Sequence, residues 1–110
     1  MCFPSYQFKH QEFDDVKEIK EFLVKNNYYK GYPVFSPVEV IGENSHELFK
    51  NLRQQWINKL LESGNPNNDF DIKWNFGKYL VNSDGVVIKY FEPANIEPIS
   101  FAEEIEKNLI

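Results

Sequence analysis

Two short polar segments carry the side chains best suited to chemistry in this sequence. The first is Gln7-Phe-Lys-His-Gln11-Glu12, and the second is Trp74-Asn75-Phe76. Glutamine and asparagine amides and the indole N–H are neutral hydrogen-bond donors. Gathered round one point, such donors would stabilise a thiolate or selenolate without a formal positive charge. The competing interpretation is that Trp74 packs in a core, where a buried indole needs a partner in any case.

Other kinds of catalytic centre find little support in the sequence. Cys2 is the single cysteine, so an internal disulfide and a multi-cysteine zinc site are excluded. It lies in an apolar segment beside Phe3, away from any cation that would lower its pKa, and we expect it to be a packing residue. A catalytic Cys–His pair using His10 or His46, the only histidines, would lack an evident nucleophile.

The acidic pairs have a structural explanation. Asp14-Asp15 and Glu103-Glu104 fall at predicted helix starts, where anions are stabilised by the helix dipole, and this favours caps over acid–base catalysis. The sequence contains neither a P-loop nor a glycine-rich dinucleotide fingerprint. We therefore expect no cofactor and no metal.

Length and charge limit the class of protein. A chain of 110 residues that is 42% hydrophobic predicts a single domain over residues 1–110. The net charge of −5 argues against nucleic acid as a partner, because phosphate contacts need a basic surface. The longest apolar stretches are too short to span a bilayer, and the start does not have the pattern of a secretory signal. These features predict an intracellular, cytoplasmic protein.

The first half of the chain predicts a strand, a helix and an extended segment. Residues 1–6 favour a short strand that runs into a polar loop. Asp15, with Glu18 three residues on, is typical of a helix start, and Asn26-Asn27 of a helix end. Tyr32 to Val40 is rich in β-branched and aromatic residues, but its two prolines suit extended chain or an edge strand.

The second half predicts a helix, a hairpin and a last helix. Asn44 and Glu47 indicate a helix that ends at Gly64. The apolar runs Lys78 to Val81 and Val86 to Phe91 flank Asn82-Ser-Asp-Gly85, which is a strong hairpin signal. Ser100 with Glu103 forms a second capping box that opens the final helix. This order is α/β and ends in the ββα unit of a thioredoxin-like domain.

Several motifs, in the right order, resemble one family. Phe3-Pro-Ser-Tyr-Gln-Phe-Lys-His-Gln-Glu12 is similar to the Phe-Pro-Cys-Asn-Gln-Phe-Gly-x-Gln-Glu stretch of the glutathione peroxidases. Ile72-Lys-Trp-Asn-Phe-Gly-Lys-Tyr-Leu-Val81 resembles their Lys-Trp-Asn-Phe-x-Lys-Phe-Leu-Val stretch. Between them, residues 35–49 follow the family's Phe-x-Lys-Ile-x-Val-x-Gly-x-x-x-His-Pro-Leu pattern. The resemblance covers residues 3–109.

The resemblance implies a thiol-dependent hydroperoxide reductase on a thioredoxin-like fold of the glutathione peroxidase type. In this family a cysteine or selenocysteine attacks the peroxide, supported by a glutamine, a tryptophan and an asparagine. The matching positions here are Gln11, Trp74 and Asn75, which we expect to converge on one depression at the carboxyl end of the sheet. The implied partners are a hydrogen, organic or lipid hydroperoxide and glutathione or thioredoxin as reductant, in an antioxidant response to oxidative stress.

The chain also departs from the family pattern. Ser5 and Tyr6 replace the usual Cys-Asn, and Lys9 replaces a glycine. The strand–loop–helix unit that carries the family's peroxidatic residue is expected upstream of Phe3, so we expect this chain alone to be inactive. A non-catalytic thioredoxin-like interaction module is the alternative. The missing unit holds a central strand, so we also expect self-association through an exposed strand edge.

Overall fold

A computed structural model describes residues 1–65, 69–93 and 98–109 of the chain. It divides into two compact units, Met1–Glu47 and Leu48–Ile110. Each has its own helix or helices and its own buried residues, and they are described in turn. None of the helices in the described ranges has the length and apolar character needed to cross a membrane.

The helix of the first unit, α1, spans Val16–Lys25, as predicted. Asp15 is its N-cap residue, and its carboxylate accepts a hydrogen bond of 2.9 Å from the Lys17 N–H. This satisfies one of the donors that a helix start leaves without an intrahelical acceptor. Asn26 ends the helix, and Ile19 is its buried residue. The local sequence signals at both ends are confirmed.

The predicted first strand is reduced to a single bridge. Cys2 pairs with Val34 in parallel orientation, and the Cys2 N–H donates to the Pro33 carbonyl at 2.8 Å. The Phe35 N–H returns a bond of 3.0 Å to the Cys2 carbonyl. The Val38 N–H also bonds the Pro4 carbonyl at 3.0 Å, but Pro4 and Pro37 have no N–H to donate, so the ladder is interrupted. The prediction of extended chain there is confirmed, whereas that of a strand over residues 1–6 is wrong.

A glutamine side chain links the amino-terminal segment to the chain near residue 40. The Gln7 Oε1 accepts hydrogen bonds from the Val40 N–H at 2.7 Å and the Ile41 N–H at 3.1 Å. Its Nε2 donates to the Ile41 carbonyl at 2.9 Å. The buried Ser5 hydroxyl accepts from the Gln7 backbone N–H at 3.3 Å. One amide therefore satisfies backbone groups that a neighbouring strand would otherwise pair.

The second helix, α2, spans Glu47–Glu62 and buries Phe49, Leu52 and Ile57. It begins later than a cap at Asn44 would place it. The Ser45 N–H bonds the Gly42 carbonyl at 3.2 Å, so residues 42–45 form a turn ahead of the helix. The predicted helix is confirmed, but its predicted start is wrong.

The hairpin of the second unit forms where the sequence predicts it. Strands β1 (Lys78–Val81) and β2 (Val87–Phe91) pair antiparallel. Gly85 has a φ of 80°, the left-handed conformation that such turns require. The Asn82 Oδ1 accepts from the Asp84 and Val86 N–H groups, each at 3.0 Å. The turn is therefore held by its own side chain.

A glutamine on α2 binds the start of β2. The Gln55 Oε1 accepts from the Val87 N–H at 2.9 Å, and its Nε2 donates to the Gly85 carbonyl at 3.2 Å. The Val86 carbonyl accepts from the Asn82 N–H and so faces β1. Because C=O and N–H of one trans peptide point in opposite directions, the Val87 N–H faces away from β1. Gln55 thus occupies the outer edge of β2 at its start.

The carboxyl-terminal helix, α3, spans Ala102–Lys107 and follows a 3₁₀-helix at Pro98–Phe101. Its N-cap residue is Phe101, not Ser100, and Phe101 makes no side-chain cap hydrogen bond. The predicted capping box at Ser100 involves a side chain that lies outside the described ones. The 3₁₀ turn already occupies the position that the box would have capped. Phe101 stacks on Phe91 of β2 with ring centroids 4.1 Å apart. The ββα order at the end of the chain is confirmed.

Candidate active site

The Trp74-Asn75-Phe76 segment forms a turn directly ahead of β1. Trp74 is 41% exposed, so its indole is not a core side chain and the packing interpretation is wrong. Asn75 is half-buried beside it. The turn therefore offers an indole N–H and an amide from consecutive residues, which is the pair of neutral donors that the sequence predicts.

The backbone of this turn is strained. Phe76 has a φ of 68°, and a bulky residue in the left-handed region is an outlier that costs on the order of 1–3 kcal/mol. Its ring is 81% exposed, so burial of Phe76 does not offset that cost. The Lys78 Nζ donates to the Phe76 carbonyl at 2.6 Å and stabilises the turn. Such strain is concentrated at functional sites in proteins.

An open depression of about 490 Å³ adjoins the turn. It is lined by Lys73, Trp74, Glu92 and Pro93. A lysine and a glutamate beside an indole offer both signs of charge and an apolar surface. A small molecule with charged groups and an apolar portion could therefore lie against Trp74. Sequence reasoning missed Lys73, Glu92 and Pro93 as lining residues, because the two segments that supply them are 18 or more residues apart.

Gln11 lies in the first unit, whereas Trp74 and Asn75 lie in the second. It is exposed and follows a turn in which Lys9 and His10 both have positive φ, of 56° and 52°. Trp74 and Asn75 are consecutive residues of one turn. The convergence of Gln11 with them stays a prediction from the sequence.

Cys2 has the environment of a packing residue. Its side chain is half-buried, and burial raises the pKa of the Cys2 thiol, with the Glu12 carboxylate raising it further against the opposing effect of the amino terminus. A raised pKa leaves little reactive thiolate at neutral pH. The histidines do not change this picture: His10 contacts the Tyr6 carbonyl and ring, and His46 is exposed just ahead of α2.

Among the described residues, no group of three or more His, Cys, Asp or Glu side chains is arranged to hold a metal ion. Arg53 and Asp71 form an ion pair with Nε and Oδ2 3.6 Å apart. Besides burial, the Asp71 carboxylate contributes to the raised pKa of both Tyr79 and Tyr90. The hydroxyls of these two tyrosines are buried and have no hydrogen-bond partner in the described part of the chain. Sequence reasoning assigned no role to these tyrosines.

Comparisons with known proteins agree with the sequence motifs. The family model described as glutathione peroxidase matches residues 1–53. A glutathione peroxidase homolog BsaA from Halalkalibacterium halodurans is 37% identical over 107 residues, covering 97% of this chain and 62% of the relative. A probable phospholipid hydroperoxide glutathione peroxidase from Citrus sinensis is 34% identical over 109 residues, covering 99% and 59%. The chain thus spans about three-fifths of the length of these relatives.

A solved structure shows the same fold. The crystal structure of Trgpx in apo form aligns with 98% of this chain and 73% of its own, with a TM-score of 0.58 and 21% sequence identity. At that identity the likeness concerns the fold alone. The predicted fold class, a thioredoxin-like α/β fold of the glutathione peroxidase type, is confirmed.

Proposed function

We propose that this chain, which matches the glutathione peroxidase family model over residues 1–53 and is similar to relatives of that name, is part of a thiol- or selenol-dependent hydroperoxide reductase. In this proposal Trp74 and Asn75 supply neutral donors to the peroxidatic group, and Gln11 is the third donor. The peroxidatic residue itself would come from the part of the relatives that this chain does not span.

The proposed reaction needs those donors at one step. A thiolate or selenolate attacks the terminal, hydrogen-bearing oxygen of R–O–O–H, the O–O bond breaks, and the departing alkoxide (hydroxide where R is hydrogen) takes up a proton and leaves as alcohol or water. The sulfur or selenium becomes a sulfenic or selenenic acid, and two equivalents of a thiol reductant return it to the starting state. The donors stabilise the anionic nucleophile before the attack.

The observation that carries the proposal is the Trp74–Asn75 turn. It presents an indole and an amide at or near the surface, on a backbone held in a strained conformation at Phe76. It lies within a segment that matches the family's Trp-Asn-Phe motif in type and order.

The reductant, the preferred hydroperoxide and the location belong to the proposal. Glutathione and thioredoxin are both compatible with a depression that offers a lysine, a glutamate and an indole. The Citrus sinensis relative bears the name of a phospholipid hydroperoxide enzyme, so lipid hydroperoxides are candidate substrates. An antioxidant role and a cytoplasmic location, like a single domain over residues 1–110, stay predictions from the sequence.

The alternative function is a non-catalytic thioredoxin-like interaction module, and the environment of Cys2 is compatible with it. The only cysteine of the chain has a half-buried thiol with a raised pKa. On this alternative the chain performs no redox chemistry, and the Trp74 turn is a contact surface. If the isolated chain showed turnover and Cys2→Ser abolished it, both functions would be contradicted, because both assign Cys2 to packing.

Self-association is a further part of the proposal. In the described residues the sheet has two strands, and Gln55 occupies the outer edge of β2 at Val87. The outer edge of β1 has no strand partner there, and such an edge pairs readily with another chain. We expect concentration-dependent dimers in sedimentation velocity, with slowed hydrogen exchange in residues 78–81. A monomer at all concentrations would contradict this.

A hybrid chain tests the enzymatic proposal. The 110 residues are joined to the part of the Halalkalibacterium halodurans relative that they do not match, in the order that the relative has, and hydroperoxide reduction is measured with thioredoxin and with glutathione. We expect turnover in the hybrid and none in the isolated chain. Trp74→Phe should lower turnover by roughly 10- to 100-fold, the scale of one donor to a charged group.

Trp56→Phe is the matched control, because Trp56 is half-buried on α2, away from the turn in sequence. It should leave turnover within about twofold of the parent hybrid. A folded hybrid without turnover would contradict the enzymatic proposal, with folding checked by circular dichroism. Equal losses for both tryptophan substitutions would contradict the assignment of Trp74.

A further inference from the structure

At Gly77, the residue after the candidate site turn, glycine is required because a side chain would not fit. Unlike Gly31, Gly42, Gly64 and Gly85, it does not have a positive φ. A Cβ at Gly77 would lie 2.5 Å from the Tyr90 hydroxyl oxygen, 3.3 Å from the Tyr90 Cε2 and 3.2 Å from the Ile72 Cγ2. Any side chain at this position would therefore collide with Tyr90. The backbone that leads from the Trp74 turn into β1 packs directly on the Tyr90 ring and hydroxyl.

Tyr90 is itself held in place by other aromatic rings. It is 6% exposed, and its ring centroid lies 4.8 Å from that of Phe70 and 5.0 Å from that of Tyr79, its register partner on β1. Its hydroxyl is buried without a hydrogen-bond partner in the described residues. A buried hydroxyl without such a partner is costly, and Phe at this position would avoid that cost. The hydroxyl therefore calls for another explanation, and its contact with Gly77 supplies one.

The turn that Tyr90 contacts is the one under strain. Phe76, next to Gly77, has the left-handed φ, and its exposed ring cannot hold it there. Strained backbone persists only where its surroundings fix it. The Lys78 ammonium bonds the Phe76 carbonyl, and the Tyr90 hydroxyl lies against the next residue, Gly77.

We propose that Tyr90 is a positioning residue for the candidate site: its hydroxyl contacts Gly77 and fixes the turn that presents Trp74 and Asn75. Tyr90 contacts no substrate in this account. Its effect on reduction of a hydroperoxide rests on the proposed function, whereas its effect on the geometry of the turn does not. Gly77 and Tyr90 therefore act as a pair, in which the small residue accommodates the large one.

The test uses the 110-residue chain and the indole N–H resonances of Trp74 and Trp56, which Trp74→Phe assigns. Gly77→Ala should shift the Trp74 resonance and raise acrylamide quenching of Trp74 about twofold, because the added Cβ displaces the turn. The double variant Gly77→Ala, Tyr90→Phe should return both signals toward the parent, since the hydroxyl that collides is gone. Trp56 on α2 should keep its resonance in every variant, which shows that the fold persists.

Tyr79→Phe is the matched control, because Tyr79 also has a buried hydroxyl without a partner in the described residues, whereas the atoms nearest a Cβ at Gly77 belong to Tyr90 and Ile72. Tyr90→Phe alone should broaden or shift the Trp74 resonance, and Tyr79→Phe should not. Equal effects of the two substitutions, or no recovery in the double variant, would overturn the proposal. If Gly77→Ala unfolds the chain, the comparison of Tyr90→Phe with Tyr79→Phe still decides it. Since no readout needs turnover, an inactive hybrid chain would count against the proposed function alone.

Discussion

In each unit a glutamine side chain makes hydrogen bonds to the backbone of another segment, but the two units depend on these bonds to different extents. In Met1–Glu47, Gln7 makes three hydrogen bonds to the backbone of Val40 and Ile41, where the structure has only one isolated bridge. In Leu48–Ile110, Gln55 makes two hydrogen bonds to the backbone of the β2 end of a hairpin that already has its own ladder. The first unit depends on a side chain where the second has a sheet.

This difference bears on the candidate site. The second unit has a hairpin, an aromatic cluster around Tyr90 and a side-chain-held turn at Asn82, and it can support a strained turn at Phe76. Pre-organised donors need such a rigid scaffold. In the first unit Gln11 follows a turn beside Gln7, with far fewer ladder bonds behind it. We therefore expect Trp74 and Asn75 to be better ordered than Gln11.

Removal of the Gln7 amide should have the largest effect on stability. Gln7→Ala leaves the Val40 N–H and both polar groups of Ile41 without their side-chain partner. We expect the free energy of unfolding to fall by roughly 2–4 kcal/mol, because each buried unsatisfied group costs about 1–3 kcal/mol and these are part-buried. Urea unfolding measures the loss of stability, and faster hydrogen exchange at the Val40 and Ile41 amides shows where the structure is weakened.

Gln54→Ala is the control for that experiment, since the Gln54 amide donates only to an exposed neighbour, the Asn58 side chain. It should cost no more than about 0.5 kcal/mol, as surface substitutions usually do. If Gln7→Ala proved as mild as Gln54→Ala, the first unit would not depend on its glutamine.

Gln55→Ala should have a smaller effect than Gln7→Ala. The Val87 N–H and Gly85 carbonyl lose a partner, but the β1–β2 ladder and the Asn82 side chain still hold the hairpin. We expect a loss of about 1–2 kcal/mol, the scale of one or two part-buried hydrogen bonds. Exchange of the Val87 amide should accelerate while that of Val40 is unchanged. A loss as large as that of Gln7→Ala would remove the distinction between the units.

Alkaline pH should weaken the second unit through its buried tyrosines. Burial, followed by the Glu92 and Asp71 carboxylates, raises the pKa of Tyr90 to about 12, and burial also raises the pKa of Tyr79. The folded state therefore favours the neutral phenol. The neutral phenol of Tyr90 therefore contributes fully to the free energy of unfolding below the unfolded pKa near 10, and this contribution is lost as the pH rises toward about 12. The loss amounts to about 1 kcal/mol near pH 11.

Urea unfolding between pH 8 and pH 11, followed by tyrosinate absorbance, measures this alkaline loss. Tyr90→Phe should reduce the pH dependence, because it removes one of the two groups with a raised pKa. Tyr28→Phe is the control, since Tyr28 is 59% exposed. Identical pH profiles for the two variants would show that the buried hydroxyl of Tyr90 does not titrate with unfolding.

Local signals in the sequence predicted most elements. Asp15 and Asn26 mark the ends of α1, and Asn82 to Gly85 mark the hairpin turn, because each signal and its hydrogen-bond partners lie within a few residues. The start of α3 falls at Phe101 and not at Ser100, because the 3₁₀-helix that starts at Pro98 leads directly into α3. The strand over residues 1–6 failed because Pro4 and Pro37 interrupt the pairing that begins at Cys2 and Val34.

The candidate site was predictable in its residue types and not in its support. The Trp74-Asn75 pair follows from the motif alone, and its exposure was an open question that the structure answers. The contact of Tyr90 with Gly77 and the bonds of Gln7 to Val40 join residues 13 and 33 positions apart. Contacts between residues so far apart depend on how the chain folds back, and they leave no periodic or local pattern in the sequence.

The central claim is that Trp74 and Asn75 stabilise an anionic peroxidatic group by neutral hydrogen bonds. The most direct test is the pKa of the peroxidatic thiol in the hybrid chain, taken from the pH dependence of its alkylation by iodoacetamide. Removal of a donor in Trp74→Phe or Asn75→Ala should raise that pKa by about one unit each, because one unit corresponds to about 1.4 kcal/mol, close to one hydrogen bond to a charged group. Trp56→Phe should leave it unchanged. A thiol pKa that is the same in all four chains would contradict the claim.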